Sequence, residues 1–146
     1  MKKILILFAT LMMMPVIAEA QIVVKERTKV ETIKKLRMGW VSLDKTGTSY
    51  FLCVRSDNQF DDTYTIHLGQ SKEDAIASLN TLIEVAKTLK KDESVKFDNI
   101  NEELSIYSGV LKKEIWFKSQ YRAGWGKVSK MELNTLLDAL LFANNN

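Results

Sequence analysis

The chain has one cysteine, one histidine, one proline and six glycines in 146 residues. One cysteine excludes an intramolecular disulfide framework, and one cysteine with one histidine excludes a four-ligand Cys/His zinc site within a single chain. Charge of one sign is also missing: 21 Lys+Arg stand against 18 Asp+Glu. A polyanion-binding tail or a highly charged disordered polymer would be biased one way, and the 46% hydrophobic content is that of a folding chain. The length suits one domain.

The one long apolar run lies at the start. Lys2 and Lys3 precede an uncharged stretch from Ile4 to Ile17, and Ala18-Glu19-Ala20 follows. A basic segment, a short apolar segment and small residues at −3 and −1 make a secretory signal peptide over residues 1–20. The run is shorter than the roughly 20 apolar residues of a membrane span, so no transmembrane anchor is expected in the mature chain. That chain, residues 21–146, reads as a single exported domain, periplasmic or extracellular. Removing residues 1–20 takes out Lys2, Lys3, Glu19 and the only proline, leaving 19 basic and 17 acidic residues, net +2 over 126. The remaining excess sits in residues 21–37, which interleave acids and lack aromatics, a pattern that does not suit nucleic-acid binding.

Hydrophobic patterning then divides the mature chain. Residues 22–31 alternate weakly, though Val30, Ile33 and Leu36 also fit helical spacing. Strands are expected over 38–44, 48–56, 63–68, 94–98, 103–110 and 114–119, with a turn at Asp44–Gly47. Ser71 begins a helix over 72–90 whose stripe is Ile76, Leu79, Leu82, Ile83, Ala86 and Leu89. Ser129 and Glu132 form a capping box before a second stripe of Leu133, Leu136, Leu137, Leu140 and Leu141, with an Asn tail closing that helix. Strands in runs followed by helices predict an α+β fold: an antiparallel sheet of six to seven strands with two amphipathic helices packed on one face. Leu79-Asn80-Thr81-Leu82 recurs as Leu133-Asn134-Thr135-Leu136, the trace a diverged strands–helix duplication would leave.

Candidate sites follow from faces. Matching the apolar residues of strands 48–56 and 63–68 pairs 54 with 64, 52 with 66 and 50 with 68. Phe51 then opposes His67, Cys53 opposes Thr65, and Cys53 lies diagonal to His67. A Cys–His enzyme would need a third group to orient the ring, and neither strand supplies an acid or amide on that face. The Asp57–Asp62 loop has three carboxylates but not the calcium-loop spacing. Gly126-Lys127-Val128-Ser129 fails the phosphate-loop pattern, and no cofactor or metal site is expected. By alternation Trp40, Phe51, Tyr107 and Trp116 point away from the aliphatic face, and Trp125 adds a ring on a loop between two glycines. These five residues are the candidate binding surface.

Gly39-Trp40-Val41, Asn58-Gln59-Phe60-Asp61-Asp62 and the Leu-rich helix over 76–89, behind a Lys-Lys leader, resemble small uncharacterised secreted proteins of the Bacteroidetes type. The resemblance implies export and brings no activity with it. The functional expectation is a non-enzymatic binding protein whose partner is a protein or an envelope component, with homodimerisation through the aromatic face as one version. Two alternatives stand beside it: an enzyme inhibitor that inserts the Trp125 loop, and an enzyme using Cys53 and His67.

Overall fold

A computed structural model describes residues 28–110 and 113–143. The expected leader over 1–20, the first part of the weak alternation at 22–31 and the Asn tail from Asn144 lie outside the described residues. Among the described residues, eight strands and two α-helices make two successive ββββα units. The first contains β1 (Val30–Leu36), β2 (Val41–Thr46), β3 (Ser49–Val54), β4 (Tyr64–Gly69) and α1 (Lys72–Thr88). The second contains β5 (Ser94–Asp98), β6 (Glu103–Ser108), β7 (Glu114–Ser119), β8 (Gly126–Ser129) and α2 (Lys130–Phe142). Each set of four strands is an antiparallel meander in sequence order.

The α+β class and the antiparallel pairing agree with expectation, but the single sheet of six to seven strands is corrected to two sheets of four. Alternation identifies the buried face of a strand, and says nothing about which strands share a sheet. The eighth strand escaped notice because Gly126-Lys127-Val128-Ser129 offers one large apolar residue and runs straight into a helix cap. The ambiguity at Val30, Ile33 and Leu36 has a structural answer. β1 is a strand with a bulge between Thr32 and Lys34. One extra residue brings Ile33 and Leu36, three apart, onto the same core-facing side.

The expected strand over 38–44 is also corrected. Arg37–Gly39 is a 3₁₀ turn, with positive φ at Arg37 (47°), Met38 (55°) and Gly39 (92°), and β2 begins at Val41. Two non-glycine residues in the left-handed region need support. The Arg37 guanidinium supplies it by donating to the Glu132 carboxylate of α2 and to the Lys127 carbonyl of β8. Gly47, with φ of 61°, makes the β2–β3 turn that an L side chain would strain.

The predicted β3–β4 register holds through Phe51–His67, Leu52–Ile66, Cys53–Thr65 and Val54–Tyr64. It departs at the end, where a shift between Tyr50 and Phe51 pairs Tyr50 with Gly69 rather than Leu68. Both helix caps are as read: Ser71 accepts from the Asp74 amide, and Ser129 and Glu132 form the reciprocal capping box.

The inner faces of both sheets and the inner stripes of both helices converge on one core. Leu43, Leu52 and Tyr64 from the first sheet meet Leu104, Ile115 and Phe117 from the second, with Leu79, Leu133, Leu136 and Leu140 from the helices. Each such fully buried side chain contributes about 2 kcal/mol of transfer free energy. The helices also pack on each other. Tyr64 ties the sheets together with its hydroxyl, which donates to the Gly124 carbonyl at 2.8 Å and accepts from the Ser119 amide at 3.4 Å. Burial pushes that phenol above its ordinary pKa. Among the described residues, no helix is long and apolar enough to cross a membrane.

Candidate functional site

With the core-facing positions of β6, β7 and β8 taken by Leu104, Ile106, Ile115, Phe117 and Val128, the alternate residues lie on the outer face of the second sheet. Tyr107 pairs with Trp116, and Trp116 pairs with Lys127. Trp125, just ahead of β8, folds back over this face. Its ring centroid lies 5.4 Å from Tyr107 and 5.6 Å from Trp116, both in edge-on geometry. Two cations complete the patch, the Lys118 ammonium 5.1 Å from the Trp125 ring and the Lys127 ammonium 4.5 Å from the Trp116 ring. Edge-on aromatic pairs and cation–π contacts each contribute on the order of 1 kcal/mol, so the cluster is held partly by itself. Tyr107 keeps 37% of its surface in solvent, and Trp116 and Trp125 are half-buried. The Trp116 Nε1 is buried and finds no partner among the described residues.

The pose of Trp125 is set by the loop facing it. The Asp57 carboxylate accepts from the Trp125 amide at 2.7 Å, the Asp57 amide donates to the Trp125 carbonyl at 3.0 Å, and the Asp61 carboxylate accepts from the Gly124 amide at 2.5 Å. Ser56 makes a bridge with Gly126. Lys118 donates to the Arg122 and Ala123 carbonyls, and Arg122 donates to the Asp62 carbonyl and pairs with Glu102 at 2.8 Å. The Gly-rich segment 121–126 is therefore latched to the acidic loop 57–62. The 57–62 segment joins β3 to β4 as a hairpin loop, and two of its three carboxylates, Asp57 and Asp61, accept from the Trp125 and Gly124 amides.

Partial burial pulls the Asp57 carboxyl upward, but hydrogen bonds from Lys127 and from the Trp125 amide outweigh it and hold the group below its ordinary range. Lys127 also pairs with it at 2.8 Å. A carboxyl lowered on folding stabilises above its unfolded pKa, near 4, and that stability is lost as pH falls through the lower folded value. Acid titration is thus expected to release the Trp125 latch below about pH 4, read as a change in tryptophan fluorescence, with Asp57→Asn showing the released signal already at neutral pH.

No family model, curated protein or solved structure matches this chain. The site is therefore read from its own geometry.

The structure brings together three of the five candidate aromatic residues, Tyr107, Trp116 and Trp125. Of the other two, Phe51 lies on β3 of the first sheet and Trp40 in the turn just ahead of β2, which corrects the expected single patch. The Trp40 ring lies 5.0 Å from the Arg55 guanidinium carbon, and Phe51 stacks with His67 at 5.3 Å. The split follows from the division into two sheets. Trp125 lies, as expected, on a loop between two glycines, and that loop is latched against the sheet.

Cys53 and His67 lie where the register predicted. What sequence reasoning missed is Asp44. It stands on β2, next to Phe51 and on the same outer face as Ser42 and Cys53. Burial first, then the Asp44 charge and hydrogen bond, push the Cys53 thiol from 9.0 up to about 11. One Asp44 oxygen is buried without a partner among the described residues. A nucleophilic cysteine needs cationic surroundings that lower its pKa, and here the neighbour is an acid. Among the described residues, no group of three or more His, Cys, Asp or Glu is placed to hold a metal ion.

The polar latch residues Asp57, Asp61, Lys118 and Lys127 were also not foreseen. Their one sequence signal was an acidic loop and a Gly-rich loop of similar length. Pairing them requires knowing that two segments some 60 residues apart meet.

Proposed function

We propose that this chain is an exported, non-enzymatic binding protein that engages a protein partner through Tyr107, Trp116 and Trp125. The observation that carries the reading is the pose of these three rings. They are part-exposed, in mutual edge contact and flanked by Lys118 and Lys127, on the outer face of a sheet whose inner face already carries the core. Rigid aromatic anchors with a cationic rim are the composition of binding hot spots, because they bury large area at low entropic cost. Two loops spend four or more polar contacts on holding one tryptophan in place, which is the preorganisation a binding surface benefits from. Export rests on the leader pattern of residues 1–20 and on the resemblance to secreted proteins of the Bacteroidetes type.

The inhibitor alternative draws less support, because Trp125 lies back on the sheet instead of projecting. The Cys53–His67 enzyme alternative is opposed by the raised thiol and its acidic neighbour. We also read the repeated ββββα order as a diverged duplication. The helix N-caps Ser71 and Ser129 are 58 residues apart, and the Leu-Asn-Thr-Leu segments 54. The difference of four is about one helical turn, so both segments place their leucines on the buried side.

The test is capture from envelope extract by the wild-type chain and by Tyr107→Ala and Trp125→Ala variants whose fold is checked by circular dichroism. Each substitution is expected to weaken capture by roughly 30-fold in affinity, the loss of an aromatic hot spot. Capture by both variants equal to wild type would show that this face does not engage the partner.

A further inference from the structure

Edge strands present rows of unpaired backbone groups, and a fold must block them or use them. The two sheets have four edges, β1, β4, β5 and β8. β1 is broken by its bulge and carries Lys34 and Lys35. On β4 the Asn99 carboxamide closes the edge, donating to the Thr65 carbonyl and accepting from the His67 amide. Along β8 and the residue before it, the Asp57 amide donates to the Trp125 carbonyl, Arg37 donates to the Lys127 carbonyl, and the Ser129 amide donates to the Glu132 carboxylate. Among the described residues, β5 has no such closure. It pairs only with β6, and four of its five residues are exposed.

The register says which atoms are open. The Asn99 amide donates to the Glu102 carbonyl, so by alternation Phe97–Leu104 and Val95–Ile106 are the pairs that exchange hydrogen bonds with β6. The N–H and C=O groups of Ser94, Lys96 and Asp98 therefore point outward. Beside this edge an apolar cleft of about 210 Å³ opens between the sheets, walled by Val95, Phe97, Ile66, Leu68, Leu82 and Val85. Asp98 lies opposite Glu103, whose carboxylate pairs with the Lys96 ammonium at 3.1 Å within the same sheet.

We propose that β5 pairs antiparallel with β5 of a second copy, joining the two second sheets into one continuous eight-stranded sheet. Two-fold pairing requires outward-facing residues to oppose one another, which leaves three central registers. Lys96 faces Ser94, Lys96 or Asp98 of the second copy. The first makes no ion pair, and the second opposes two ammonium groups. The third makes two symmetric Lys96–Asp98 pairs and sets Phe97 against Phe97 on the axis, each Lys96 then lying between its own Glu103 and Asp98 of the second copy. Charge selects the third. In it, Val95 and Phe97 of the second copy extend the apolar inner face across the open cleft. This surface is separate from the Tyr107–Trp116–Trp125 face, and the two are tested independently.

The experiment is sedimentation analysis of the purified chain into the high micromolar range, with Lys96→Glu and Asp98→Lys as variants and circular dichroism as the fold check. Both positions are solvent-exposed. The wild type is expected to dimerise, and each variant to weaken the dimer about tenfold, since attraction turns to repulsion at two symmetric positions. An equimolar mixture of the two variants is expected to regain the wild-type association, because each copy then supplies the charge the other lacks. A monomeric wild type would overturn the proposal. So would variants that dimerise as well as wild type, or a mixture no tighter than either variant alone.

Discussion

Replacing Gly124 with alanine is expected to destabilise the fold by about 3 kcal/mol and to lower Tm by roughly 10 °C for a chain of this size. A Cβ built on Gly124 would lie 2.2 Å from the Ser56 Oγ, 2.6 Å from the Asn58 Cβ and 2.7 Å from the Asn58 amide nitrogen. None of these can yield cheaply. Ser56 is buried, and its hydroxyl accepts from the Asn58 amide and donates to Asp61. Asn58 contributes backbone as well as side chain to the contact. Relief therefore means separating the 57–62 and 121–126 loops. That costs the Gly124 amide its bond to Asp61 and the Tyr64 hydroxyl its bond to the Gly124 carbonyl, leaving buried polar groups unpaired. Gly47→Ala is the control: it meets no atom within 4 Å and carries only the cost of a φ of 61°, about 1 kcal/mol. Thermal unfolding of the two variants compares sterics with backbone strain. Because Trp125 follows Gly124, the alanine variant should also lose the near-ultraviolet signal of the stacked rings. An unchanged Tm with that signal intact would show that the latch does not hold the loops in this way.

Cys53 is expected to react with a thiol reagent about 100-fold more slowly in the folded chain than in the unfolded chain, at any pH below 9. The folded thiol is pushed from 9.0 up to about 11, and a shift of two pKa units is a hundredfold in thiolate. Burial is the largest cause and Asp44 the next. Asp44→Asn is therefore expected to raise the folded-state rate while leaving the unfolded rate unchanged. Linkage fixes the direction of the matching stability effect. A neutral thiol with a raised folded pKa contributes stability that is fully present below pH 9 and is lost as pH rises from 9 towards 11. Cys53→Ala should flatten that alkaline limb in denaturant titrations. Equal reaction rates in folded and unfolded chains would contradict the acidic, half-buried setting, and would reopen the reading of Cys53 as a nucleophile.

These two expectations differ in how far they were visible beforehand. The strand register behind the Cys53 result was legible, because apolar triplets at period two on β3 and β4 admit few face-matching pairings, and the one that brings the near ends Val54 and Tyr64 together holds. The Asp44 neighbour was not, since it requires a third strand. β2 joins β3 through a turn at Gly47 and Thr48, and only the resulting pairing sets Asp44 beside Phe51 and Cys53 within reach of its charge. The Gly124 result was not legible at all. It depends on two loops meeting across the junction of two sheets, which no periodicity encodes.

The sequence by itself determined the local structure. The positions of β3 to β7, the start of both helices, both N-caps and the mixed α+β class follow from apolar spacing and from Ser71, Ser129 and Glu132, because these are interactions between residues a few positions apart. The tertiary structure alone decided that the strands form two sheets, that Tyr107, Trp116 and Trp125 share a face while Trp40 and Phe51 do not, and that β5 is left with an open edge. Each of these depends on contacts between residues tens of positions apart. Alternation shows which way a side chain points from its own strand. What it then meets is set by how the two meanders and their helices pack around the common core.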